Sequence, residues 1–436
     1  MRAANKATVA VLRSNKLPAA RLDLERVARD PAAAARNARA RKASVDVDSV
    51  VRLHCAQKAL RSEVGDLRAE RNQLSKGKGG ASAEGRQRGA ELKSTLARLE
   101  GALSGAEAEL AAEAQHLPNW THERTPEGGE EAAVVVGEGG SKRRFEGFEP
   151  RDHTALLESL GMADFESATT IAGTKFAILT GQGALLELAL VSWAMHEAAK
   201  RGFAPMLVPD LVRSSVVQAC GFNPRGEHTQ TYKLDESELV LAATAEAPVA
   251  GSWAGRRLGA AAAPVRQVAF SHCFRTEVGS RGAALKGLYR LHQFSKVELF
   301  TVCAPPDSEA EHARLRALSE ELLSELGLHW RALEMPSAEL GASAYRKWDV
   351  EAWMPGRGEY GEVSSISNCT DFQARRLDVR HGAGFAHTLN GTALAVPRVM
   401  LSLLETHQRV DGSVAVPSPL QRWLQCDTIE PPSDGH

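Results

Sequence analysis

Two leucine ladders set the first limit on what this chain can become. Leucines at 53, 60, 67 and 74, and again at 96, 103, 110 and 117, recur every seven residues, with Leu92 and Leu99 on the line beside the second set. A strict seven-residue interval keeps one seam of an α-helix apolar, and a strand, whose side chains alternate every second residue, cannot use it. Between the ladders stands Lys76-Gly-Lys-Gly-Gly-Ala-Ser82, with three glycines in four positions. Each glycine costs about 1 kcal/mol relative to alanine inside a helix, so the first helix ends near Ser75 and the chain turns. Two heptad helices joined by such a turn fold back as an antiparallel coiled-coil hairpin.

That hairpin is also where the positive charge lies. Residues 1–100 hold 22 Lys+Arg against 11 Asp+Glu, so the other 336 residues carry a net charge of −12 although the whole chain has −1. A basic arm on an acidic body suits a polyanion held by the first part alone, whereas arginines that only solvate a helix face are the plainer alternative. Ahead of Asp23 stand Arg2, Lys6, Arg13, Lys16 and Arg21 with no acid among them. This is the composition of an organellar transit segment, expected over residues 1–21, with a cytoplasmic protein as the alternative. Six cysteines (Cys55, Cys220, Cys273, Cys303, Cys369, Cys426) form no C-x-x-C pair, which points to a reducing compartment and against structural zinc. No stretch approaches the roughly 20 apolar residues that span a bilayer, so no membrane partner is expected.

The organisation read from these signals is an arm over residues 22–120, a Gly- and Glu-rich linker over 121–141 and a body over 142–436. In the body, helical periodicity runs from Gly183 to Lys200 and from Ser308 to Leu326, and a proline-bounded extended segment covers Ala204 to Asp210. Segments rich in Val, Phe and Leu (Val265–Phe274, Gly287–Phe300, Trp348–Met354) read as strands. The expected class is α+β, an antiparallel sheet flanked by helices. Neither G-x-G-x-x-G nor G-x-x-x-x-G-K-[ST] occurs, so nucleotide chemistry would use another kind of site.

The most informative residues for chemistry are Phe274-Arg-Thr-Glu277 and, ten residues on, Gly-Leu-Tyr-Arg-Leu-His-Gln-Phe-Ser-Lys-Val-Glu from Gly287 to Glu298. Arg275, Glu277, Arg290, Phe294 and Glu298 place polar and aromatic groups on otherwise apolar segments, an arrangement suited to a nucleotide and a small zwitterion. Arg398 sits in the apolar run Thr392–Leu404, where a guanidinium demands an anionic partner such as a triphosphate.

These stretches resemble motifs 2 and 3 of class II aminoacyl-tRNA synthetases, the second being Asn390-Gly-Thr-Ala-Leu-Ala-Val-Pro-Arg398. Thr244-Ala245-Glu246, His292-Gln-Phe-Ser-Lys-Val-Glu298 and Glu362-Val-Ser-Ser-Ile-Ser-Asn-Cys-Thr-Asp-Phe-Gln-Ala-Arg-Arg376 match the seryl-tRNA synthetases in particular, and the similarity runs from about residue 20 to the C-terminus. Ala344–Arg357 and Phe385–Thr388 look closest to mitochondrial members. The helix–strand–proline order ending at Pro209 is similar to motif 1, the dimer-forming element. There the family commonly has Ala-Arg-Leu-Glu and this chain has Ala184-Leu-Leu-Glu187, so an interface arginine is missing.

The resemblance implies a homodimer that uses ATP and Mg²⁺ to activate L-serine and transfers it to tRNA(Ser), gripped by the arm. It implies that Arg275 holds the α-phosphate and the serine carboxylate, Arg398 the γ-phosphate, Glu362 with Ser365 the magnesium, and that Phe294 stacks on adenine. Thr276, Glu277, Val363 and Ser364 complete the implied ATP site. Thr244, Ala245, Glu246, Arg275, Glu298 and Thr392 make the implied serine site, and Arg275, Glu362 and Arg398 carry the chemistry. Serine commonly stands at the position of Thr392. No general base is needed for the first step, since a carboxylate is already the nucleophile, so positioning and charge neutralisation do the work. A catalytically inactive, tRNA-binding relative would show decay at Arg275, Glu298, Glu362 or Arg398, and all four are present.

Overall fold

The computed structural model describes residues 17–76, 82–222, 231–259, 261, 264–277 and 287–432. It forms two compact units, one of Leu22–Trp120 and one of the remaining residues. The glycine-rich turn expected between the ladders falls on 77–81, outside the described residues.

In the smaller unit the ladders become helices α1 (Val47–Lys76) and α2 (Ala83–Ala114), the latter capped by Ser82, whose hydroxyl accepts the Gly85 N–H at 2.9 Å. Val64, Leu96 and Leu99 are buried in the seam with Leu60, Leu67 and Leu103 packed beside them, and Val50, Leu110 and Ala114 form the next layer. Ion pairs cross the seam between Arg61 and Glu107 (2.7 Å), Arg68 and Glu100 (2.8 Å), and Arg88 and Glu70 (2.8 Å). Numbers that rise on one helix as they fall on the other make the pair antiparallel. Solvent-exposed pairs of this kind add little to stability, so the leucine seam and not the charge lacing holds the hairpin together.

The larger unit is built on one eight-stranded sheet. Its strands are β1 (Val134–Gly139), β2 (Ala204–Leu207), β3 (Val265–Phe274), β4 (Gln293–Cys303), β5 (Trp330–Glu334), β6 (Arg346–Met354), β7 (Glu359–Asn368) and β8 (His387–Ala395). The spatial order is β1-β5-β6-β7-β8-β4-β3-β2, antiparallel throughout except that β2 pairs with β3 in parallel. Helices α3 (Gly181–Lys200), α4 (Ser308–Glu325) and α5 (Val396–His407) cover one face. Alternation does the sorting. Val297 and Leu299 of β4, Val350 and Ala352 of β6, and Leu389 and Ala393 of β8 point into the core under these helices. Their strand neighbours Lys296, Glu298, Asn390 and Thr392 line a cavity on the opposite face.

Two expectations change. The stretch 121–141 is not a bare linker, because Val134–Gly139 is the edge strand of the main sheet and pairs with β5. Gly139 looked like a linker residue but is a packing residue, since a Cβ there would run into the Trp330 ring. The strand expected from Gly287 begins only at Gln293, and Arg275–Glu277 lies just beyond the end of β3, with Glu277 in the left-handed region at φ 48°. Of the expected transit segment, residues 1–16 lie outside the described residues. Within 17–21, Leu17 packs against the core of the larger unit and the Arg21 N–H donates to the Arg375 carbonyl at 2.8 Å.

Candidate active site

Two irregularities decide which side chains meet on the open face. In β7, Glu362 stands opposite Glu351 and Ser364 opposite Val350, so Val363 is an extra residue in the ladder. Residues three apart on a regular strand point to opposite faces. The bulge cancels one step and brings Glu362 and Ser365 to the same side, where both line the cavity. A second bulge at Ala393 follows Thr392, which sits directly opposite Glu298.

The cavity has a volume of about 590 Å³ and adjoins a smaller one of about 50 Å³ along Arg275, Glu277, Arg290, Lys296, Glu362 and Thr392. Arg275 reaches in from the end of β3. Its Nε donates to the Ala243 carbonyl at 3.4 Å, its guanidinium is 5.2 Å from the Phe294 ring, and its backbone N–H is held by the His292 carbonyl at 2.9 Å. The left-handed turn at Glu277 directs its carboxylate onto Arg290, with which it forms an ion pair. Thr276 also lines the large cavity.

At the deep end is a buried polar cluster. Lys296 forms an ion pair with Glu298 and donates to the Thr244 hydroxyl at 2.6 Å, while that hydroxyl lies 3.3 Å from Glu298 Oε2. Glu246, at the start of a short helix, receives a hydrogen bond from Gln373 at 2.6 Å. Burial, and after it the negative charge of Glu298, pushes the Glu246 carboxyl up to about 8, with Lys296, Gln373 and Arg275 pulling the other way. Ala245 does not reach the cavity wall; it is fully buried in the core beneath it.

At the other end, Arg398 rises from the first turn of α5. Its Nη1 donates to the Glu362 carbonyl at 2.8 Å and lies 3.6 Å from the Glu362 carboxylate, and its Nε donates to the Tyr289 carbonyl at 3.1 Å. Glu362 is a cleft-floor group, with 48% of its side chain open to the cavity. Its depth works to raise the carboxyl, but Arg398, Lys347, Arg275 and Lys296 outweigh that and hold it below the usual carboxylate value. Ser364 donates its hydroxyl to the Thr392 carbonyl at 2.5 Å, and Val363 belongs to the hydrophobic core while touching the smaller cavity.

The residues expected from the sequence thus fall around two adjoining cavities, with Ala245 and Val363 as packing residues. It missed Lys296, Asp349 and Gln373. Lys296 was legible, since it is two residues before Glu298 and shares its face. Asp349 is buried opposite Ser365, 3.0 Å from Lys347, and burial pushes it up to about 6. Only the bulge reveals its neighbourhood. Chemically, the cavity offers fixed cations for phosphate and carboxylate oxygens, buried acceptors for an ammonium and a small hydroxyl, and one open carboxylate.

Comparison with known proteins agrees with this geometry. The family described as tRNA synthetase class II core domain (G, H, P, S and T) matches residues 230–407, and the Seryl-tRNA synthetase N-terminal domain matches residues 22–121. A serine–tRNA ligase of Rubrobacter xylanophilus is 43% identical over 422 residues, covering 94% of this chain and 99% of the relative. The mitochondrial serine–tRNA ligase of Mus musculus is 40% identical, covering 94% of this chain and 84% of the relative. The crystal structure of seryl-tRNA synthetase from Pyrococcus horikoshii complexed with ATP superposes with a TM-score of 0.86 at 32% identity, covering 94% of this chain and all of that one.

Proposed function

The chain belongs to the seryl-tRNA synthetase family, activating serine with ATP and charging tRNA(Ser) as a class II serine–tRNA ligase, and from that premise we propose how its own residues divide the work. Arg275, between the two halves of the cavity, takes the serine carboxylate and the α-phosphate, the two groups that must meet although both are anionic. Arg398 takes the γ-phosphate, and Phe294, 5.2 Å from the Arg275 guanidinium, provides a face for adenine. Thr276 and Glu277 complete that wall. Glu246, Glu298 and Thr244 receive the serine ammonium and hydroxyl, with Thr392 closing the pocket floor.

Glu362 and Ser365 present oxygen donors only, on the same face and open to the cavity, which fits a hard cation that keeps several waters and shares phosphate oxygens. Bound there, Mg²⁺ would neutralise phosphate charge as pyrophosphate leaves. Arg275 and Arg398 contribute planar, permanently charged forks to the same end. The observation that carries the assignment is the convergence of Arg275, Glu298, Glu362 and Arg398 on connected cavities from four separate stretches of sequence. The test is serine-dependent pyrophosphate exchange, which needs no tRNA: Arg398→Ala should abolish it with the fold intact, and exchange near the wild-type rate would remove Arg398 from the ATP site.

For assembly, the reading is a homodimer through α3 and the β2 edge. Leu185, Leu188 and Leu207 are 49%, 63% and 83% exposed there, a run of large apolar groups beside an open sheet edge. The basic hairpin is read as the tRNA grip. The acid-free basic start alone supports organellar import, since a bacterial ligase at 43% identity is at least as similar as the mitochondrial one at 40%.

A further inference from the structure

Tyr289 has no part in the roles proposed above, yet it touches two guanidiniums at the ATP end. Its ring centroid lies 4.8 Å from the guanidinium of Arg398 and 4.1 Å from that of Arg357, inside the range in which a cation is drawn to an aromatic face. Its carbonyl accepts Arg398 Nε at 3.1 Å. Beneath it, a Cβ added to Gly361 would stand 2.8 Å from the Tyr289 ring and 2.5 Å from Met354. Gly361 is not in the left-handed region, so it is required for space and not for backbone conformation. The ring therefore has a seat cut into β7, one residue before Glu362.

We propose that Tyr289, seated on Gly361, is a positioning residue that holds the Arg398 guanidinium in plane for the triphosphate of ATP. The Tyr289 and Glu362 carbonyls accept from Nε and Nη1, which lie on different sides of the guanidinium with Cδ between them. Both bonds lie in the guanidinium plane and leave it free to rock about the line between their acceptors, and the ring, against its face, opposes that rocking. The remaining donors are thereby aimed into the cavity. An aliphatic side chain of similar bulk fills the seat but lacks the negative ring face that attracts the cation.

This rests on Arg398 binding the triphosphate, so Arg398→Ala is run alongside. ATP and serine dependence of pyrophosphate exchange are measured for wild type, Tyr289→Phe, Tyr289→Leu, Gly361→Ala and Arg398→Ala, with ATP binding by calorimetry and a thermal melt for each. Tyr289→Phe should stay within about twofold of wild type. Tyr289→Leu should raise KM and Kd for ATP about tenfold, with KM for serine and Tm unchanged. Gly361→Ala, which pushes the ring off its seat, should shift ATP in the same direction. Equal behaviour of the Phe and Leu variants would overturn the proposal, as would a Leu variant that loses Tm and both substrates together. If Arg398→Ala itself leaves ATP binding unchanged, the reading of Arg398 fails first, an outcome distinct from an Arg398 effect without a Tyr289 effect.

Discussion

Serine binding should release a proton, and the pH dependence of kcat/KM for serine should show it. Glu246 is buried beside Glu298 and titrates at about 8 before serine arrives. An ammonium needs the carboxylate, so only the ionised fraction of the enzyme is competent. For a group of that pKa the fraction is about one-tenth at pH 7 and one-half at pH 8, and apparent affinity scales with it, rising roughly fivefold over that unit. The sign follows from the partner: a bound cation favours the charged carboxylate and lowers its pKa in the complex. Binding therefore releases most of a proton at pH 7 and tightens as pH rises towards 8. At saturating serine the effect leaves kcat. Glu246→Gln loses a charged hydrogen bond of about 1.5–3 kcal/mol, whereas wild type at pH 7 spends on the order of 1 kcal/mol on deprotonation, so the variant should be less impaired at pH 7 than at pH 8.5. The assays are serine-dependent pyrophosphate exchange at saturating ATP from pH 7 to 8.5 and calorimetry in two buffers of different ionisation enthalpy. A flat wild-type profile, or the same slope in Glu246→Gln, would refute the reasoning.

Thr392→Gly should raise threonine activation relative to serine about tenfold, since the pocket excludes threonine by bulk and the substitution removes the floor it meets; unchanged ratios of kcat/KM would place serine elsewhere. Removing Leu22–Trp120 should leave pyrophosphate exchange within about twofold but lower kcat/KM for tRNA charging by at least about 100-fold, and equal charging would reduce the basic surplus to a solvated surface. Leu185→Glu with Leu188→Glu should give monomers by light scattering at micromolar concentration, and a dimer of undiminished mass would move the interface off α3. Residues 1–25 fused to a reporter should direct it to mitochondria or plastids, and a diffuse cytosolic signal would favour the cytoplasm.

What was legible in the sequence depended on whether a residue's partner lay at a regular spacing. The hairpin was legible because seven-residue spacing is itself the packing rule: the Leu96 and Leu99 expected on adjacent lines are both in the seam with Val64. Arg275 and Arg398 were legible because a guanidinium in an apolar run requires an anion. The strand at Val134–Gly139 was not, since a glycine that admits Trp330 and one that frees a linker are the same letter, and the difference lies about 190 residues away in β5.

The bulge at Val363 shows the limit most sharply. Strict alternation assigns Glu362 and Ser365 to opposite faces, so a pattern reading had to set its own rule aside to pair them, and only family resemblance supplied the reason. The extra residue does more than join that pair. It leaves Ser365 facing Asp349 while Glu362 faces Glu351, and so places a buried acid behind the hydroxyl and an open one beside Arg398. It also sets Gly361 under Tyr289, one step from Glu362 along the same strand. A single inserted residue thus sets the open carboxylate and the aromatic seat together. Deleting Val363 would restore alternation to β7, and in pyrophosphate exchange it should raise KM for ATP more than KM for serine, because Glu362 turns away while Thr244, Glu246 and Glu298 stand on other parts of the chain.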